Sequence, residues 1–226
     1  MPNIEGMISR GYFPKELPPP FTTHYYGSFL ASNHSTLPSR FIQNNEPAKI
    51  LSHNLARSGS LRRKLGIPNP MHFYRLTSFI IDNWQELHRS AARSRFSLTT
   101  PVDGYLRRAL EPQYSLTERS IRRAQLRSTS RYILHADISR FYPSIYTHSI
   151  PWGIHTKAVA KVDHSVHLIG NILDRLVRNA QDRQTMGIPI GPDTSLLIAE
   201  IILSAIDNRL LERQITNGFR YIGICQ

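Results

Sequence analysis

The first regular pattern in the chain comes after Pro70, where Phe73, Leu76, Ile80, Trp84 and Leu87 fall at steps of three and four. That spacing predicts a helix with one buried stripe. Val162, Val166, Ile169, Leu173, Leu176 and Ala180 repeat the rhythm and predict a second helix. Leu196 to Leu211 is strongly apolar and long enough for a buried helix, with Gly218 as its stop. Ser115-Leu116-Thr117-Glu118 reads as a capping box opening a short arginine-rich helix. In between, the rhythm changes to alternation. Tyr132, Leu134 and Ala136 point one way and Ile133, His135 and Asp137 the other, which predicts a strand ending in an aspartate. Phe219 to Ile222 predicts a short final strand.

From Arg131 onward the predicted order is strand, connection, helix, loop, helix, strand, which suits an α+β domain with helices packed on one face of an antiparallel sheet. The chain divides into three regions: an irregular N-terminal arm (1–57), a basic helical region (58–130) and a mixed region (131–226). The arm carries Pro18-Pro19-Pro20, which cannot be helix interior, and aromatics such as Tyr12, Phe13 and Tyr26 that need burial somewhere. The turn-rich Ser58-Gly59-Ser60 separates the arm from the basic region.

Charge sharpens this division. The net charge is +12, and +10 of it lies between Arg57 and Arg131, where fifteen basic residues face five acidic ones. All but one of the fifteen are arginine, whose planar fork matches phosphate. Such a region is either a solvated basic face or a polyanion site. No apolar run reaches the roughly 20 residues that span a bilayer, and no secretory signal precedes the arm. With one cysteine, Cys225, no internal disulfide is possible, and a cytoplasmic setting without membrane partners is expected.

Two segments can carry chemistry. Asp137 closes the predicted strand ahead of Ile138-Ser139-Arg140-Phe141-Tyr142-Pro143-Ser144-Ile145-Tyr146. A carboxylate there can hold a hard cation such as Mg²⁺, cap the next turn, or pair with an arginine. Gly187-Ile188-Pro189-Ile190-Gly191-Pro192 must be a loop, and Asp193 or Thr194 can cap the helix behind it. Its glycines let backbone approach a ligand, although such loops also serve as plain turns.

Taken together, Ala136 to His148 and the Gly-Ile-Pro-Ile-Gly-Pro loop fifty residues later resemble the palm of bacterial reverse transcriptases, closest to the antiphage-defence and abortive-infection group. Arg63-Lys64-Leu65-Gly66-Ile67-Pro68 is similar to a fingers stretch of group II intron enzymes. The resemblance covers roughly 57–222. It implies fingers in 58–130, a partial palm in 131–226, no thumb, and RNA-directed DNA polymerase ancestry in antiviral defence. By this resemblance Asp137 would be the first metal carboxylate, with the Ile138 carbonyl also facing Mg²⁺. Tyr142 would stand where an aromatic blocks a ribose 2′-hydroxyl. Arg63 and Arg75 would grip a deoxynucleoside triphosphate, and Ile190 and Gly191 would lie beneath it. Partners would be an RNA template and DNA.

The chain departs from that pattern at its end. Phe219-Arg220-Tyr221-Ile222 arrives where a Tyr-x-Asp-Asp hairpin is expected, but Gly223 and Ile224 stand in place of the aspartates. Two-metal phosphoryl transfer holds ions roughly 3.5–4 Å apart with several carboxylates, and one aspartate cannot do so. The expectation is a catalytically incomplete fragment, truncated before that motif, with Cys225 incidental. A non-catalytic nucleic-acid-binding module is the alternative, and docking of the aromatic arm on another protein a third.

Overall fold

A computed structural model describes residues 1–39, 41, 45–56, 62–105, 107–128 and 131–213. In chain order it contains α1 (Ile4–Gly11), α2 (His24–Asn33), β1 (Leu51–Ala56), β2 (Arg62–Ile67), α3 (Pro70–Asp82), α4 (Trp84–Ala91), β3 (Pro101–Asp103) and β4 (Leu110–Pro112). After these come α5 (Leu116–Arg127), α6 (Phe141–Ser144), α7 (Ser149–His155), α8 (Lys157–Val162), α9 (Ile169–Asn179) and α10 (Asp193–Glu212). The class is mixed α+β, as expected. The single helix-covered sheet is not present among the described residues. Two antiparallel ribbons, β1–β2 and β3–β4, take its place, and the core is mainly helix on helix.

The centre of that core is α10. Its Leu197, Ile198 and Ile201 pack with Ile80, Trp84 and Leu87 of α3 and α4, Ile150 and Ile154 of α7, and Leu173 and Val177 of α9. Being apolar on most sides, α10 needs this all-round cover. The arm is not irregular. Asn3 caps α1 by accepting from the Gly6 N–H, and Ile8, Tyr12 and Leu30 form a second cluster with Phe73 and Tyr74. Tyr12 stacks on Phe73 at 4.6 Å between centroids, and its hydroxyl donates to the Pro68 carbonyl at 2.6 Å. The arm's buried aromatics thus find their cover within this chain.

Three predicted elements differ. The first helix is divided at Asn83, whose side chain donates to the Phe79 carbonyl and ends α3 before α4 begins. Its apolar stripe still faces one core, because Ile80 and Trp84 are buried on either side of the half-exposed Asn83. The second is divided between Val162 and Ile169. Asp163 accepts from the Ser165 N–H and Asn171 donates to the Asp163 and Ser165 carbonyls, folding the chain into a turn and leaving Val162 and Val166 exposed. The third is the strand Arg131–Asp137, which is non-regular and exposed throughout. A strand needs a neighbour for its backbone groups, and among the described residues no strand pairs with it. The final predicted strand, Phe219 to Ile222, lies outside the described residues, as do Ser58–Ser60, Gly223, Ile224 and Cys225.

The capping box is present as predicted: Ser115 accepts from the Glu118 N–H and Glu118 from the Ser115 N–H. Among the described residues no helix is long and apolar enough to cross a membrane.

Candidate functional site

The Gly-Pro loop is pinned from both sides. On one side the Gly187 N–H donates to the Ile145 carbonyl at 2.7 Å and the Ile188 N–H to the Tyr142 carbonyl at 3.0 Å. Gly187 has φ +85°, and a Cβ there would come 3.2 Å from the Pro143 carbonyl oxygen, so glycine is required for the approach. On the other side the Gly66 N–H of β2 donates to the Ile190 carbonyl at 2.9 Å. The Ser195 hydroxyl of α10 donates to the Pro189 carbonyl at 2.7 Å. The loop therefore joins β2, the α6 segment and the start of α10.

Above it opens a cleft of about 1010 Å³. One wall is β2 with residues 49–52, the other is Asp137–Pro143, and the floor is the loop from Gln184 to Ile190. Five cations line it, Lys49, Arg62, Arg63, Lys64 and Arg140, against two carboxylates, Asp137 and Asp182. That excess of positive charge in a concave site favours an anionic ligand. Arg140 has φ 52°, a left-handed conformation that a non-glycine residue adopts at a cost. It turns the chain sharply after Asp137, so that α6 starts at the rim of the cleft.

Of the residues the resemblance singled out, Asp137, Ile138, Tyr142, Arg63 and Ile190 all line this cleft. The Asp137 carboxylate is exposed and its Oδ1 accepts the Ile138 N–H at 2.8 Å. It is neither sealed beneath side chains nor remote from the loop. Arg63 reaches Glu16 at 3.6 Å, a loose pair across to the arm. Two residues are not brought in. Arg75 is buried on α3, donates to the Phe41 carbonyl at 2.7 Å, and has its pKa lowered by burial. Gly191 faces the arm instead: at φ +132° its hydrogen sits where a Cβ would collide with the Pro14 ring.

Sequence reasoning missed the support behind the loop. Asp193 does not cap α10. Its carboxylate is buried, accepts from the Arg108 guanidinium, and takes the Ala109 and Leu110 N–H groups at 2.9 and 3.0 Å. Arg108 also donates to the Phe13 and Gly191 carbonyls, tying arm, loop and helix at one point. Burial lifts the Asp193 carboxyl to about 6, outweighing Arg108 and the two N–H groups that pull it down. Asp193, Glu200 and Asp207 lie seven residues apart, about two turns, so they share a stripe facing 94–110. Glu200 accepts from Ser97 and Thr99, and Asp207 from Ser94. That heptad spacing of acids in an apolar helix was the available signal.

The described residues do not by themselves supply a set of side chains for a resident metal pair. Among the described residues no group of three or more histidine, cysteine or acidic side chains could hold a metal ion. Asp137 with its neighbour's carbonyl does not make a two-ion centre. No protein-family model matches this chain, and no curated protein matches it.

Proposed function

We propose that the cleft is a nucleoside triphosphate site of the reverse-transcriptase kind, and that this chain alone binds the nucleotide without transferring it. One observation supports this above the others: residues drawn from positions 63 to 190, picked out by motif, converge on a single basic cleft. The cations of β2 suit a polyphosphate, the Tyr142 ring offers a face to a sugar, and Ile190 contributes packing without a hydrogen bond. Gly223 and Ile224, standing where the resemblance expects two aspartates, support the second half of the proposal.

Calorimetric titration of deoxynucleoside triphosphate with Mg²⁺ tests it. Arg63→Ala is expected to weaken binding about tenfold or more, the loss of a charge-assisted hydrogen bond. Asp137→Ala is the sharper probe. If Asp137 shares the nucleotide's Mg²⁺, its removal weakens binding. If it holds no cation, removing a negative charge strengthens anion binding. Tighter binding by Asp137→Ala, or none by the wild type at millimolar nucleotide, overturns the site. Primer extension abolished by Asp137→Ala would overturn the claim that the centre is incomplete.

A non-catalytic nucleic-acid module is the second reading, and the arginine-rich stretch between Arg57 and Arg131 favours it. Both predict binding; they part over free nucleotide, which only the first requires.

A further inference from the structure

Beyond the floor of the cleft the chain carries a row of aromatic rings. Met186 lines the cleft and is exposed, and it is bridged antiparallel to Tyr146 through the backbone. The Thr147 N–H donates to the Thr185 carbonyl at 2.9 Å, fixing the same junction. From Tyr146 the row continues outward. The His148 ring stands edge-on to it at 4.9 Å, and the Trp152 ring lies 5.9 Å away. Lys157 places its ammonium 4.8 Å from the Trp152 ring centre.

These rings are held in place. The buried Asp174 carboxylate meets His148 Nδ1 at 2.8 Å and Arg178 Nε at 3.2 Å. This orients the imidazole from below while its outer edge stays accessible. Tyr146 is 40% exposed, a large fraction for an aromatic ring braced by two others. A ring fixed in position yet open to solvent loses little entropy when something stacks on it. Core packing does not account for it, because core rings are covered.

We infer that single-stranded nucleic acid leaves the cleft along Tyr146 and His148, with bases stacked on the rings and phosphates met by Lys157. Unpaired bases present π-faces that suit such a platform whatever their sequence, whereas duplex bases are already stacked. Charge agrees: Lys157 and Lys161 are exposed beyond the rings, against one acid on the same stretch, Asp163. The inference deepens the nucleotide-cleft reading, and rests on it for the direction in which the strand runs. An apolar protein partner is the competing occupant, and the lysines disfavour it.

The test is fluorescence anisotropy of a labelled single strand of mixed sequence, about 12 nucleotides long to match one such site, with the full chain, in the absence of nucleotide and across a salt series. Tyr146→Ala is expected to weaken binding by about five- to a hundredfold, the range for loss of one stacked base. Lys157→Ala is expected to weaken it and to flatten the plot of log affinity against log salt by about 0.7, the share of one single-strand phosphate contact. Lys157 is exposed on the surface, so its replacement leaves folding intact even if Tyr146→Ala disturbs the loop. Wild-type affinity in both Tyr146→Ala and Lys157→Ala, or equal binding of a blunt duplex, overturns the inference while leaving the cleft reading standing.

Discussion

Replacing Arg108 by alanine is expected to destabilise the chain by about 3–5 kcal/mol, the cost of stranding one member of a buried ion pair. The Arg108 side chain is 17% exposed and that of Asp193 7%, so water cannot take over the lost partner at either end. Two further acceptors, the Phe13 and Gly191 carbonyls, lose their donor in the same step. Urea unfolding monitored by circular dichroism measures the change. Arg108→Lys should recover only part of it, since an ammonium cannot reach a carboxylate and two carbonyls with the planar fork's geometry. A loss below about 1 kcal/mol, the value of an exposed pair, would show that this junction is wet and that arm, loop and helix are not tied there.

Acidification should then act against the usual trend at Asp193. Its folded carboxyl titrates at about 6, against about 3.9 for an unfolded aspartate. Between those values the folded state holds a proton that the unfolded state has released, so stability falls as pH rises through the window. The contribution is complete below about pH 4 and gone above about pH 6. Relative to Asp193→Asn, the wild type is expected to gain about 2–3 kcal/mol as pH drops from about 7 to about 4. Taking the difference between the two proteins is essential, because other groups titrate alongside. Burial raises Glu200 and Asp207, which push the same way as Asp193. Burial lowers His72 and His155, which push the other way, since the unfolded state takes up their protons first. Parallel stability–pH curves for wild type and Asp193→Asn would mean that the Asp193 carboxyl is no more costly to ionise when folded than when unfolded.

Both expectations concern a junction that periodicity did not reveal. An arginine among fourteen in one basic stretch carries no mark distinguishing it from its neighbours. Arg108 acquires its partners from positions 13, 191 and 193, and no local pattern links these. Arg75 illustrates the same limit from the other direction. A motif offered it as a phosphate ligand, yet it sits on the buried face of α3 because Phe73 and Leu76 orient that helix inward. Gly191 was expected beneath a ligand, and the proline ring of the arm occupies the space beside it instead. Asp137, Tyr142, Arg63 and Ile190 do line one cleft, because each belongs to a string whose residues stay together in space.

The long apolar helix α10, the capping box at Ser115, the loop at Gly187 and the basic character of the middle region could all be read from residue order. Each depends on interactions within a few residues: side chains three or four apart on a helix, a hydroxyl reaching its own backbone, a glycine free of its Cβ. Where helices broke was half-hidden, because the side chains that end them, Asn83 and Asp163, act locally but in competition with an unbroken apolar rhythm. Whether 131–137 would pair as a strand, which acids would be buried, and which aromatics of the arm would meet Phe73 emerged with the packed molecule. Those outcomes depend on what lies alongside: a ladder needs a second strand, and a buried charge needs a partner brought from far along the chain.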